Sequence, residues 1–404
     1  MVMSNFSIFS VLGLEIEYML VDKVHLNVQP KSDVILRSLA KKQVNEVVLG
    51  DIALSNELVM HVLELKNNGP KPPSAPLVEQ FQKAIIDIQP ILAKENLTLL
   101  PTGAHPWMNP DLETVRWPYE NQEIYQQYDA IFNCKGHGWS NLQSMHVNLP
   151  YANDEEFCCL HNLIRLILPL LPALAASTPI LDGKATHLLD SRLVFYSENQ
   201  KRIPLISGDI IPEFVRTEEE YQRRILNPMY ESISPFDPQK ILQHPWLNSR
   251  GAIPKFDYKA IEIRILDTQE CVTADIAIAK IIHAILKSWH SSSQYYLEKP
   301  CDTQSLKCLF NQAIQSGLST TVDDIELLAQ WRVPKHIKAL RNVWSYLIEM
   351  NSHGLEQREQ QALELILSQG NLSERILHAT QKDSLEKVYS QLAQCLLANQ
   401  QFPV

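Results

Sequence analysis

From Val11 to Asp22 the chain alternates with a period of two: Leu12, Leu14, Ile16, Tyr18 and Leu20 fall on one face, Gly13, Glu15, Glu17 and Met19 on the other. That pattern predicts a half-buried strand carrying two acids side by side. Carboxylates at i and i+2 point the same way, about 7 Å apart along the strand, and like charges that close disfavour each other unless a cation lies between them. A divalent metal is the simplest such cation; a strand with one solvated face is the alternative.

Three later stretches also predict strands with a polar face. Ala53 to Lys66 forms a strand region with Glu57, His61, Glu64 and Lys66, closed by the proline-rich NNGPKPPSAP. In Leu142 to Leu149, Met145, Val147 and Leu149 face one way and Ser144, His146 and Asn148 the other. In Ala260 to Asp267, Ile261, Ile263 and Ile265 oppose Glu262 and Arg264. Leu97 to Leu100 is a short apolar run that opens into the turn-rich PTGAHPW, where His105 shapes the turn.

Helical periodicity covers 34–41, 77–96 (with Pro90 late in it), 119–132 and about 155–176. Residues 195–258 hold many prolines and little periodicity, which predicts a surface wrap with one helix near 218–225. From Thr273, a candidate N-cap, an apolar stripe of Ile278, Ile281, Ile282, Ile285 and Trp289 predicts a long helix. Further helices are expected at 321–330, 334–350, 356–368 and 372–399. The fold class that follows is α+β, with a sheet region at 1–270 and a helical region at 271–404 packed on it as one continuous domain. That helical third supplies a homodimer interface or a lid.

Composition narrows the function. The 404 residues are 45% hydrophobic and 20% charged, which suffices for a sizeable core. The net charge is −10 and no Lys/Arg run tracks a phosphate backbone, so nucleic acid is not an expected partner. Seven cysteines without a CxxC pair predict a reduced, cytoplasmic chain. No basic region precedes the N-terminal acidic strand, so no signal peptide is expected. The apolar segment from Leu160 to Leu181 contains Arg165, Pro169, Pro172 and Pro179, and predicts a buried core helix that breaks at its prolines rather than a membrane span.

Neither GxxxxGK[ST] nor GxGxxG is present, nor GxSxG, HExxH or CxxC. What remains is Glu, His and Arg on strand faces, a set that suits Mg²⁺ or Mn²⁺ and through them nucleotide phosphates. GLEIE at 13–17, Glu57 and Glu64 within ELVMHVLELKNNGP, TGAHPW at 102–107, MHVNL at 145–149, ASTPILDGKATHLLDSR at 176–192, and SRGAIP with IEIRILD at 261–267 occur in that order. The ordered set, spanning about residues 11–270, resembles the glutamate–cysteine ligase family of the second type, the carboxylate–amine ligases.

The resemblance implies a curved, largely antiparallel sheet like the funnel of glutamine synthetase, with flanking helices and with ATP and Mg²⁺ or Mn²⁺ on the concave face. It implies Glu15, Glu17, Glu57, Glu64, His146 and Glu262 as metal ligands, and Arg264, Arg250 and Glu15 around the nucleotide. It gives catalytic roles to Arg192, Arg264 and Glu262, with Arg192 on a substrate carboxylate or the transferring phosphoryl group. The implied reaction joins glutamate to cysteine through an acyl phosphate, on the way to glutathione. The partners are small amino acid substrates, with no nucleic acid and no membrane.

Two positions depart from the family pattern. Asn148 stands where many members have a second histidine, and His187 follows Thr186 where a glycine is usual. Both bear on the acceptor more than on the metal site, so the same chemistry on another amine or acid stays open. A nucleotide- or metabolite-sensing protein without turnover is the alternative from another class.

Overall fold

The computed structural model describes residues 6–291 and 293–403. The opening alternation becomes strand β1 (Gly13–Asp22), followed by β2 (Glu46–Leu49), β3 (Ile52–Asn56), β4 (Val62–Asn67), β5 (Leu97–Leu100) and β6 (Ser144–Pro150). A separate hairpin, β7 (Ile180–Leu181) and β8 (Lys184–Ala185), precedes β9 (Ala252–Lys255) and β10 (Ala260–Asp267). The main sheet has eight antiparallel strands in the order β2-β3-β4-β1-β6-β10-β9, with β5 also paired to β1. It is open, and the fold class is α+β, as the alternation and the resemblance imply.

Two irregularities in the ladder position the polar face. The edge of β1 away from β4 is shared, with β6 pairing to Gly13–Ile16 and β5 to Met19–Asp22. Glu17 falls at the parting, and its carbonyl accepts a hydrogen bond from Thr268 Oγ1 at 3.1 Å. On β10, Ile263 pairs with Val147 and Leu266 with Met145, so Arg264 and Ile265 together stand opposite His146. This one-residue bulge reverses the alternation beyond it. Asp267, which strict alternation assigns to the core face, lies opposite Ser144 instead.

The apolar face of the sheet, with Leu14, Ile16, Tyr18, Val147, Ile261 and Ile263 all at most 1% exposed, is covered by helices. Leu77–Lys94 lies against β3, β4 and β5, and Val272–His290 against β6. Val272–His290 also touches Leu77–Lys94, Asp154–Ile167, Leu340–Asn351 and Gln357–Gln369, and is therefore buried around nearly its whole circumference. Its one central cation, Lys280, pairs with Glu359 at 2.6 Å.

Several expected boundaries move. The region 53–66 is two strands, β3 and β4, with Glu57 between them, and β2 was not foreseen. The stretch 195–258 is more than a surface wrap: the helix expected near 218–225 is present and runs on to Ile233, burying Leu226, Met229 and Ile233. Ile206, Ile211, Val215 and Leu242, outside regular elements, are also fully buried, because an irregular backbone fills a core as well as a periodic one does. The first turn of Val272–His290 is capped from far away, Thr273 N–H donating to Asn399 Oδ1 at 2.9 Å, and Thr273 itself lies inside the helix. The helix expected over 372–399 divides into Leu372–Ala379 and Leu385–Ala398, with Ser384 capping the second. The apolar segment is Asp154–Ile167, a tight turn at Leu168–Leu170 around Pro169, and Leu171–Ala175, 94% of its most apolar window being buried.

The TGAHPW loop closes one end of the sheet through His105. Its Nε2–H donates to Leu26 O at 2.6 Å and Nδ1 accepts Trp107 N–H at 3.2 Å, while the Asn141 amide bonds both its backbone N–H and its carbonyl. Burial pushes this imidazole down to about 4, against the opposing pull of the Leu26 carbonyl. Between pH 6.5 and 4 the unfolded chain therefore takes up a proton that the folded chain refuses, so stability present above pH 6.5 is lost as pH falls, by about 3 kcal/mol for this group. Urea unfolding of His105→Gln should show a shallower loss of stability from pH 7 to pH 4 than the unaltered protein; parallel curves would rule this out.

Candidate active site

The polar face of the sheet carries a continuous row of charged groups set by strand register. Across β1, Glu17 is opposite Glu64 and Glu15 is opposite both Lys66 and His146; Glu64 is opposite Ser55, and Glu262 opposite Asn148. Ligand atoms of Glu15, His146 and Glu262 all lie within 4.8 Å of one another, and so do those of Glu17, Glu64 and His146. His146 joins the two groups: Nδ1 meets Glu15 Oε2 at 2.9 Å, and Nε2 meets Ser144 Oγ at 2.8 Å. Ser144 also gives Glu17 Oε2 its backbone N–H at 2.7 Å and its hydroxyl at 3.1 Å.

Crowding leaves its mark on the acids. Burial, then the charges of Glu64, Glu17 and Glu15, push Glu57 well above the carboxylate range. Glu64 is also raised, by burial and by Glu15, although Lys66 at 3.2 Å and Ser55 Oγ at 2.7 Å oppose the shift. Glu15 goes the other way: burial would raise it, but the hydrogen bond and charge of His146, with Lys255 and Lys66, bring it down to about 2. His146 is raised, since its acidic neighbours outweigh the burial that disfavours its charge. Carboxylates that raise one another's pKa form a place where a divalent cation is stabilised. Carboxylate oxygens with a single imidazole suit Mg²⁺ or Mn²⁺.

The arginines occupy three different settings. Arg264, lifted by the bulge, places Nε 3.1 Å from Glu262 Oε1 and remains partly exposed. Arg192 is in the first turn of the helix Ser191–Glu198, which Asp190 caps. Its Nε donates to Asp267, and Nη2 is buried without a hydrogen-bond partner among the described residues; Glu17 adds to the negative field it feels. Arg250 is not brought to the carboxylates. Its guanidinium forks onto Glu213 with two contacts of 2.7 Å, and Asn248 and the Leu205 carbonyl take the remainder. Glu57 follows β3 and lies outside both ligand groups, though within the field of their acids.

Over residues 11–392 the chain matches the family described as glutamate–cysteine ligase family 2. The chain belongs to glutamate–cysteine ligase family 2. Its relatives include an uncharacterized protein of Archaeoglobus fulgidus, 34% identical over 393 residues that cover 96% of this chain and 99% of that one. Another, from Methylibium petroleiphilum, is described as "Putative glutamate--cysteine ligase 2" and is 24% identical over 89% of each chain. Among solved structures, the fold is similar to a glutamate–cysteine ligase of Francisella tularensis in complex with AMP, with a TM-score of 0.61 and 13% identity over 98% of this chain and 90% of that chain. It is also similar to a bifunctional glutathione synthetase of Pasteurella multocida, with a TM-score of 0.56 and 13% identity, over 96% of this chain and 53% of that chain. The protein is accordingly an enzyme, a carboxylate–amine ligase of this family.

Asn148 and His187 have defined local settings. Asn148 Nδ2 donates to Glu15 Oε1 at 3.1 Å, so an amide supports Glu15. His187 has φ 64°, the left-handed conformation that glycine adopts without strain.

Periodicity does not give the charge partners of three neighbours of the carboxylates. Lys66 reads only as part of the strand region 53–66 and Lys255 falls in the stretch 195–258 expected to wrap the surface, yet their ammonium groups lie 3.2 Å from Glu64 and 2.8 Å from Glu262. Asp267 was only the last residue of a strand. It is fully buried, where it pairs with Arg192 and accepts from Ser177 N–H at 2.8 Å and Thr178 Oγ1 at 3.0 Å. The signal that marks it is Gly103 of TGAHPW: a Cβ there would lie 2.5 Å from the Asp267 carboxyl carbon. Gly103→Ala should therefore destabilise the protein by about 1–3 kcal/mol through overpacking. Thermal unfolding checks this, and an unaltered midpoint would show that the Asp267 carboxylate shifts without cost.

Proposed function

We propose that the protein is an ATP-dependent ligase that joins the γ-carboxylate of glutamate to an amine, with cysteine the first acceptor to test, through an acyl-phosphate intermediate. The observation that carries this is the convergence of Glu15, Glu17, Glu64, Glu262 and His146 on one sheet face with Arg264 alongside, in a chain of this family. In this proposal Glu15, Glu262 and His146, or Glu17, Glu64 and His146, would hold a divalent ion, since one imidazole ligates one ion at a time, and Glu57 contributes from the rim. Bound there, Mg²⁺ or Mn²⁺ supplies charge neutralisation of the nucleotide phosphates.

A carboxylate is a poor electrophile, which is why the reaction needs two stages. An oxygen of the glutamate γ-carboxylate attacks the terminal phosphorus of ATP, the β,γ-bridging P–O bond breaks, and ADP leaves. The amine nitrogen then attacks the acyl carbon, inorganic phosphate leaves with the former carboxylate oxygen, and the nitrogen loses a proton to solvent. Arg264 stabilises charge on the transferring phosphoryl group. Arg192, with its Nε fixed by Asp267 and Nη2 without a protein partner, offers a buried donor for an anionic substrate group. No enzyme nucleophile enters the scheme. Arg250, committed to Glu213, acts through packing rather than on phosphate in this proposal.

An amine other than cysteine is the second reading, and Asn148 favours it, because an amide lies beside Glu15 where many members place an imidazole. ADP release measured with ATP, Mg²⁺ and L-glutamate against cysteine and a panel of other amines tests both. Release that requires glutamate and one amine, and that falls at least about 100-fold in Glu262→Gln, is the expected result. Absence of release with every pair would overturn the glutamate reading.

A further inference from the structure

Two lysines stand among the carboxylates, and they differ in where else they can place their charge. Lys66 lies 3.2 Å from Glu64 and also 2.9 Å from Glu46, which is on the outer strand β2 and half exposed. Lys255 ends the edge strand β9, with its side chain 32% exposed, and its ion pair among the described residues is with Glu262 alone, at 2.8 Å. The other oxygen of Glu262 faces Arg264 Nε at 3.1 Å. Lys255 is thus tied to a carboxylate that belongs to the Glu15, His146 and Glu262 group.

A divalent ion at that group and the Lys255 ammonium compete for the charge of one carboxylate. When the ion takes Glu262, Lys66 still has Glu46, whereas Lys255 loses its carboxylate partner. A partly exposed ammonium on a flexible four-carbon stem, left beside a loaded metal site, is suited to a phosphate oxygen, to which it offers three donors and a point charge. We propose that Lys255 is a nucleotide-binding residue. It neutralises Glu262 before the metal arrives, and moves to a non-bridging oxygen of the polyphosphate once the metal occupies Glu262. The proposal rests on the metal- and ATP-dependent reading above and adds a residue to it.

Removing this lysine should shift two affinities in opposite directions. Without nucleotide, Mn²⁺ titration followed by electron paramagnetic resonance should show Lys255→Met binding the ion about three- to tenfold tighter, because a competing cation is gone. With Mg²⁺ present, calorimetry with a non-hydrolysable ATP analogue should show about tenfold or weaker binding for the same variant. Lys255→Arg should recover most of the nucleotide affinity. Nucleotide affinity equal to that of the unaltered protein, or a loss in both affinities, would overturn the role of Lys255 while leaving the ligase reading intact. An unaltered protein that binds neither ion nor analogue would instead defeat the ligase reading itself, and this proposal with it.

Discussion

Mutual repulsion among carboxylates on one face of a sheet is the constraint on which the rest of the site depends. Glu15, Glu17, Glu64 and Glu262 come within a few ångströms because strand register places them there, and register is held by the apolar residues on the opposite face. Leu14, Ile16, Val147 and Ile263 are buried under helices, so the strands cannot slip to separate the acids. The repulsion is met by what surrounds it: Lys66, Lys255 and Arg264 from neighbouring positions, and hydrogen bonds from Ser55, Ser144 and Asn148. A site assembled in this way favours added positive charge, which is the property that metal-dependent phosphate chemistry requires.

The bulge in β10 does for the arginines what register does for the acids. One additional residue opposite His146 lifts Arg264 toward Glu262 and turns Asp267 to the same face. Asp267 then becomes the point where three segments meet: Ser177 and Thr178 from the loop before β7, Arg192 from the helix after β8, and Gly103 from the TGAHPW loop, which must lack a side chain to fit. A buried charge pair of this kind costs desolvation, and its geometry has to be supported on all sides.

The helical third supports this arrangement from behind. Val272–His290 packs against β6 and four other helices, and its first turn is closed by Asn399, more than a hundred residues later. Arg375 meets Glu270, just past β10, at 2.6 Å in a fully buried pair. The C-terminal helices are thus fastened to the end of the strand that carries Glu262 and Arg264.

The sequence by itself determined which faces are polar. Period-two alternation in 11–22, 142–149 and 260–267 is local, and it identified Glu15, Glu17, His146, Glu262 and Arg264 each as a polar-side residue of its own strand without knowledge of the strand order. The ordered motifs added the family, and with it the fold class. Tertiary structure decided what alternation cannot express. Strand order brought Glu64 opposite Glu17; the bulge changed the parity of Asp267; and distant charges separated Arg192, held at the site by Asp267, from Arg250, taken up by Glu213. Much of the apolar content of the segment 195–258 proved to be core, and helix ends moved to caps such as Asn399. The physical reason is range: periodicity records which side of its own backbone a residue occupies, whereas charge pairing, register and burial depend on partners tens to hundreds of residues away.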